Sequence, residues 1–296
     1  MTTNSVAARD TATEVLRYTA FSADPAGGNP AGVVLDARGL DDAAMQRIAA
    51  GIGYSETAFV TPGPTCSAER DVTVRYFSPV AEVPFCGHAT IATAVALAER
   101  AGEGTFTFAT RAGEVPVSVV RDASGALYAT LSSVDPYVEP IAPADLAEAL
   151  AALRWPVSDL DPALPSRVAY AGARHLVVAA ATRERLADLD YDFARLAAVM
   201  TRLGLTTVQL VWRESPEVFH VRNPFPVGGV VEDPATGAAA AAFGGYLRTL
   251  GLVGTDASLT LFQGADLGRP SRLTVELRPS DPRVHVSGTA TRLTPG

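Results

Sequence analysis

Four side chains able to move protons or act as nucleophiles stand beside turns marked by glycine or proline. They are Glu56 in GYSETAFV, Cys86 and His88 in VPFCGHATIATAVALA (residues 83–98), and Asp233 in EDPATG. A carboxylate and an imidazole are ordinary acid–base catalysts, and a second carboxylate nearby shifts their proton affinity. Each residue also has a plain structural reading. Glu56 follows a Gly-rich turn and precedes a strand pattern, where solvated turn residues are common. Asp233 is placed to cap a helix. His88, at a helix start whose dipole favours the neutral ring, serves equally as a satisfied buried histidine. Cys86 reads as a small core residue. No one of these signals is specific alone.

The elements that must position them are more informative. Residues 83–98 carry no formal charge, and after His88 the run ATIATAVALA is small or apolar on every face. A helix without a polar face is surrounded by protein. A second such run lies between Asp233 and Arg248, again opening on a turn, Asp-Pro-Ala-Thr-Gly, before an Ala-rich body. The helix starts at Gly87 and Gly237 are half the chain apart, and each is embedded in its own strands, which suggests an internal duplication. Helix starts present unpaired N–H groups and the positive end of the dipole, and glycine lets a ligand approach them. If the two halves face each other, both starts point into one cleft that binds a carboxylate.

Strand patterns are expected at 14–21, 57–62, 72–78, 104–110, 114–120, 175–180, 206–212, 259–263, 272–277 and 283–288. Helices are expected near 41–51, 89–101, 143–153, 191–203 and 238–250. The fold class is α+β: two pseudo-symmetric lobes, each a curved, mostly antiparallel sheet around a buried central helix. Residues 12–133 form the first lobe, with the strand at 283–296 returning to it, and 134–282 the second. The junction is placed in the proline-rich VDPYVEPIAPADL, residues 134–146.

Composition narrows the function. The chain has 296 residues, 48% hydrophobic and 19% charged, with net charge −8 and no basic stripe, which argues against a nucleic-acid partner. The first twelve residues read as a loose tail without the apolar core of a signal peptide, and no uncharged run reaches the roughly 20 residues of a membrane-spanning helix. Two cysteines, Cys66 and Cys86, make no disulfide framework, so a cytoplasmic enzyme is expected. His88, His175, His220 and His285 lack short metal-ligand spacing, which argues against zinc. GIG (51–53) and GGNPAG (27–32) fit no dinucleotide or phosphate-loop fingerprint and read as turns. Arg222 reads as a structural ion-pair partner.

Together, GGNPAGVVL (27–35), SETAFV (55–60), RYFSPVAEVPFCGHATIA (75–92), VEDPATGAAAA (231–241) and QGADLGRPSRLTVEL (263–277) resemble, in this order, the PhzF-type isomerases of the diaminopimelate-epimerase-like fold. The resemblance spans residues 14 to 293. It implies a homodimer without metal or organic cofactor. It also implies a reaction in which a glutamate, matched by Glu56, moves a proton between carbons of a small unsaturated carboxylic acid so that a double bond migrates. His88 and Asp233 match the histidine and aspartate that orient the substrate. Asn29, Ser55, Gly87, Gly237 and Ala238 fall at substrate-contacting positions. Where the phenazine-type motif reads EDPxTGS, this chain has Ala238, so a hydroxyl is missing and the substrate is expected to differ from the phenazine precursor, in specialised metabolism. Two other readings follow from the same residues. An amino-acid epimerase or racemase would use Cys86, but needs a second thiol that EDPATGA lacks. A non-catalytic small-acid binding protein would keep the cleft without turnover.

Overall fold

A computed structural model describes residues 13–63 and 70–294. The expected N-terminal tail through residue 12 and Cys66 lie outside the described residues. In the first half the elements run β1 (Leu16–Ala20), β2 (Asn29–Val34), α1 (Asp42–Ile52), β3 (Glu56–Pro62), β4 (Asp71–Phe77), β5 (Glu82–Val83), α2 (Gly87–Ala101), β6 (Gly104–Thr110), β7 (Gly113–Arg121) and β8 (Leu127–Ser132). The second half continues with β9 (Tyr137–Pro140), α3 (Pro143–Leu153), β10 (Arg167–Tyr170), β11 (Arg174–Ala179), α4 (Arg183–Ala187), α5 (Phe193–Leu203), β12 (Thr207–Arg213), β13 (Val218–Phe225), β14 (Val230–Asp233), α6 (Gly237–Thr249), β15 (Ala257–Gln263), β16 (Ser271–Arg278) and β17 (Asp281–Arg292).

Strand pairing closes the first half into a ring. β1, β2, β3, β4, β6, β7 and β8 follow one another, and β17 completes the circuit by pairing with both β8 and β1. From β1 to β8 the neighbours pair antiparallel, parallel, antiparallel, parallel, antiparallel and antiparallel. The same order recurs from β10 through β11, β12, β13, β15 and β16 to β17. In both halves a short strand and then an apolar helix, β5–α2 or β14–α6, link the fourth and fifth strands of that order. β17 belongs to both sets, since it also pairs with β16.

The small side chains of α2 and α6 have a packing reason. Every residue of α2 from Gly87 to Ala96 is buried, and both helices share one apolar cluster with the inner strand faces. A Cβ at Gly244 of α6 would lie 2.7 Å from Val275 Cγ1, and one at Gly245 2.6 Å from Pro136 Cβ. Larger residues would push the helix off the sheet. A second cluster packs α3 and α5 on the outer face of β11 and β12. Among the described residues, no helix is long and apolar enough to cross a membrane.

Three expectations need correction. The proline-rich stretch 134–146 holds a strand that the sequence did not suggest: Tyr137–Pro140 pair with β10, and the one proline within that strand, Pro140, lies at the edge of the sheet, where a missing N–H is tolerated. Residues 27–32 are only half a turn, since Asn29 opens β2. Glu56 is not a turn residue but the first residue of β3, in register with Ala31.

Candidate active site

The first residues of α2 and α6 meet. A Cβ placed on Gly87 would sit 3.4 Å from Gly237 Cα and 3.5 Å from the Ala238 nitrogen. Neither helix has a side-chain cap at its first turn: Cys86 and Thr236 occupy the cap positions without making that bond. Two positive helix ends therefore converge where glycine leaves the backbone bare, an arrangement suited to a carboxylate.

Around this point the structure gathers Asn29, Ser55, Glu56, Gly87, His88, Asp233, Gly237 and Ala238. Glu56 Oε2 lies 3.4 Å from His88 Nε2, and Ser55 Oγ lies 3.3 Å from the same nitrogen. On the other side of the ring, Asn29 Nδ2 approaches His88 Nδ1 at 3.2 Å. An amide N–H₂ carries two hydrogens, so its contact with the ring is shared with the bonds it makes across the site. Asn29 also donates to Asp233 Oδ1 at 2.7 Å and to the Ala235 carbonyl at 3.1 Å. Glu56 keeps about a seventh of its side chain exposed, whereas His88 and Asn29 are buried. The carboxylate is thus partly open to a ligand, as are Ser55 and Ala238 beside it.

Asp233 does not cap α6 as its sequence context suggested. It closes β14, and its Oδ2 accepts a 2.6 Å hydrogen bond from the Thr236 hydroxyl. Burial pushes its carboxyl up to about 6, against the lowering effects of His88, Thr236 and Asn29. Arg222 does form the expected ion pair: its guanidinium meets buried Glu232 at 2.6 Å on the opposite face of the strand pair.

Cys86 is more engaged than a plain core residue. Its Sγ lies 3.3 Å from His88 Nδ1 and 3.8 Å from Nε2. Burial, and then the charge of Glu56, push the thiol up, so it is protonated near neutrality. Glu56, Cys86 and His88 offer donor atoms within 4.8 Å of one another, a set that sequence spacing did not reveal. Its thiol is held by burial in the form that disfavours a metal.

Three further residues support the site without having been assigned a part from the sequence. Gln263 accepts from the Thr236 N–H at 3.0 Å and donates to the Asp233 carbonyl at 2.7 Å, which fixes the turn before α6. Arg269 donates to the carbonyls of Gly27 and Gly28 and so holds the loop that presents Asn29. Phe21, buried and with φ of 64°, lays its ring against Gly288 and Gly237. The motif QGADLGRPS carried the signal for the first two; nothing local marks Phe21.

Comparison with known proteins places this geometry. The chain matches the PhzC-PhzF family, described as phenazine biosynthesis-like protein, over residues 18–296. An uncharacterized isomerase of Bacillus subtilis is 30% identical over 291 residues, covering 94% of this chain and 95% of that protein. The trans-2,3-dihydro-3-hydroxyanthranilate isomerase of Pseudomonas chlororaphis is 30% identical over 255 residues, covering 85% and 86%. Among solved structures, a PhzF-family phenazine biosynthesis protein of Bacillus anthracis superimposes with a TM-score of 0.83 at 28% identity, over 95% of this chain and 96% of that one. A probable proline racemase of Agrobacterium radiobacter, 13% identical with a TM-score of 0.65 over 94% and 90%, shares the fold alone. The chain belongs to the PhzC-PhzF family of phenazine biosynthesis-like proteins and is a PhzF-like isomerase.

Proposed function

We propose that this isomerase moves a proton between carbons of a small unsaturated carboxylic acid, with Glu56 as acid and base, so that a double bond migrates. The observation that carries the reading is the position of Glu56. It is the partly open carboxylate beside two converging helix starts, 3.4 Å from the Nε2 of His88. The helix starts take the substrate carboxylate and hold it while Glu56 removes a proton from one carbon and returns it to another. His88 and Asn29 orient the polar groups, and Asp233 adds to the negative field around them. No further base is required, because removal and return occur on one face. The two halves act as lobes, 12–133 with 283–296 and 134–282, that close over the substrate. A homodimer in the cytoplasm, working in specialised metabolism, belongs to the same proposal.

The contact of Cys86 with His88 favours one second reading, an epimerase. Such an enzyme needs opposed bases, and Thr236 precedes α6 at the position that Cys86 holds before α2. A hydroxyl does not replace a thiolate as a carbon base, so the one-base isomerisation is preferred.

The test is incubation with trans-2,3-dihydro-3-hydroxyanthranilate and related dienoic acids in deuterated water, followed by ultraviolet absorbance and mass spectrometry. A shift of the double bond with deuterium at the new C–H position is expected. Exchange at the α-carbon of amino acids without any diene turnover would contradict it.

A further inference from the structure

The duplication leaves one of its two seams open. In the repeated pairing order the β1–β2 turn, residues 21–28, corresponds to the β10–β11 turn, 171–173, and the β15–β16 turn, 264–270, to the β6–β7 turn, 111–112. The longer pair of turns meets and is sealed. Arg269 donates to the Gly27 and Gly28 carbonyls, Gly28 donates to the Pro270 carbonyl at 3.1 Å, and the Phe21 ring reaches Gly237. The shorter pair does not meet. Among the described residues no hydrogen bond joins 111–112 to 171–173, and Ala171 follows β10 where Phe21 follows β1. A cavity of about 290 Å³ remains between them.

The walls of this cavity come from both halves. Leu131, Ala171 and Ala241 are buried and form its floor. Phe85 and Tyr170 line its sides, and Tyr170 is steadied by stacking on Tyr137, with 4.5 Å between the ring centroids. At the mouth stand Val134, 48% exposed, and two charged residues, Glu114 and Arg283. The floor is thus apolar and covered while the mouth meets solvent, so a guest can enter. The two charges do not balance each other. Arg283 spends its Nε and Nη2 on the Asp281 carboxylate at 2.9 and 2.8 Å, whereas Glu114 has no hydrogen-bond or ion-pair partner for its side chain among the described residues.

We infer that this open seam is a second binding site, separate from the Glu56 cleft, for a small aromatic ammonium compound. An apolar cavity of about 150 Å³ is enough to hold benzene, so the space here takes a ring with a short chain. The Phe85 and Tyr170 rings favour a ring in the guest through offset or edge-to-face contacts. The unmatched Glu114 carboxylate selects a cation and disfavours an anion, since the Arg283 charge is already met by Asp281. Neither Glu56 nor His88 lines the cavity, so the site goes beyond the proposed reaction and does not depend on it.

Calorimetry tests it with three probes of similar shape: 2-phenylethylammonium, 2-phenylethanol and 3-phenylpropionate. The ammonium compound is expected to bind wild type about threefold or more tightly than the alcohol, as suits an ion pair at an exposed mouth, and the carboxylate more weakly than either. Glu114→Gln, at an exposed position, should fold as wild type does and erase the preference for the cation. Ala171→Phe puts into the gap the side chain that closes the other seam and should abolish binding of all three probes; should it fail to fold, Glu114→Gln decides alone. Glu56→Gln should bind the ammonium compound as wild type does. Absence of binding to wild type at millimolar concentration, a preference for the carboxylate, or an undiminished preference for the cation in Glu114→Gln overturns the site. So does undiminished binding in a folded Ala171→Phe, or loss of binding in Glu56→Gln, which would put the cation on the catalytic carboxylate instead.

Discussion

Asn29 and Asp233, separated by 204 residues, are joined by a 2.7 Å hydrogen bond between the Asn29 amide and the Asp233 carboxylate. That bond ties the start of β2 to the turn before α6 and holds a buried carboxylate whose proton affinity is raised to about 6. Between the ordinary carboxylate value, about 4, and 6, the folded state binds a proton more tightly than the unfolded chain. Stability conferred by that proton is present below the window and lost as pH rises through it, by about 3 kcal/mol in all. Asp233→Asn removes the titration. Urea denaturation should show the variant gaining on wild type by up to about 3 kcal/mol between pH 4 and pH 7. The opposing hydrogen bonds from Thr236 and Asn29 are already contained in the net rise, so a pH-independent difference would contradict the assignment.

Gly87→Ala tests the meeting of the helix starts. The added methyl would make ordinary contacts, 3.4 Å from Gly237 Cα and 3.5 Å from the Ala238 nitrogen, so the variant should fold with unchanged or slightly higher stability. The same methyl fills the space that the proposed substrate carboxylate would take. Affinity for 3-hydroxyanthranilate by calorimetry is expected to drop by roughly tenfold or more, about 1.4 kcal/mol.

The ion pair of Arg222 with Glu232 is structural. Both side chains are buried, and the guanidinium also donates to the Ala187 carbonyl at 2.6 Å. Arg222→Met should cost about 3–5 kcal/mol by leaving Glu232 charged and unpaired, and adding Glu232→Leu should recover much of it. Chemical denaturation of both variants checks the pair. A double variant no more stable than the single one would contradict the argument.

Phe21 and Gly288 are a fitted pair. Phe21 takes a left-handed backbone, its N–H bonded to the Thr289 carbonyl at 2.7 Å and its carbonyl to the Arg272 N–H at 2.8 Å. A Cβ on Gly288 would fall 2.4 Å from the Phe21 ring. Gly288→Ala should therefore destabilise by about 1–3 kcal/mol through overpacking, and Phe21→Leu in that background should restore part of the loss. An undiminished denaturation midpoint in Gly288→Ala would show that the ring moves freely.

Much of this was legible before any coordinates. The all-round apolar runs after His88 and Gly237 marked α2 and α6, since only burial on every side tolerates them, and period-two patterns placed β6 and β16 to within a residue or two. Motif order singled out Glu56, His88, Asp233 and Asn29 together, and the structure brings them side by side. What escaped depends on tertiary pairing. β9 hides among prolines that an edge strand accepts. Asp233 looks like a cap because Asp-Pro is a common helix opening, and only pairing with Asn223 makes it a strand residue. Cys86 acquires a role through the ring of His88, and the gap between the β6–β7 and β10–β11 turns shows only once the two halves are set against each other.

Turnover of Glu56→Gln tests the account most directly. The amide keeps the size of the side chain and removes the proton-transferring group. With trans-2,3-dihydro-3-hydroxyanthranilate or whichever dienoic acid the wild type isomerises, the variant should lose double-bond migration and deuterium uptake by at least a thousandfold, while calorimetric affinity stays within about threefold. Retained deuterium uptake in Glu56→Gln would contradict the account.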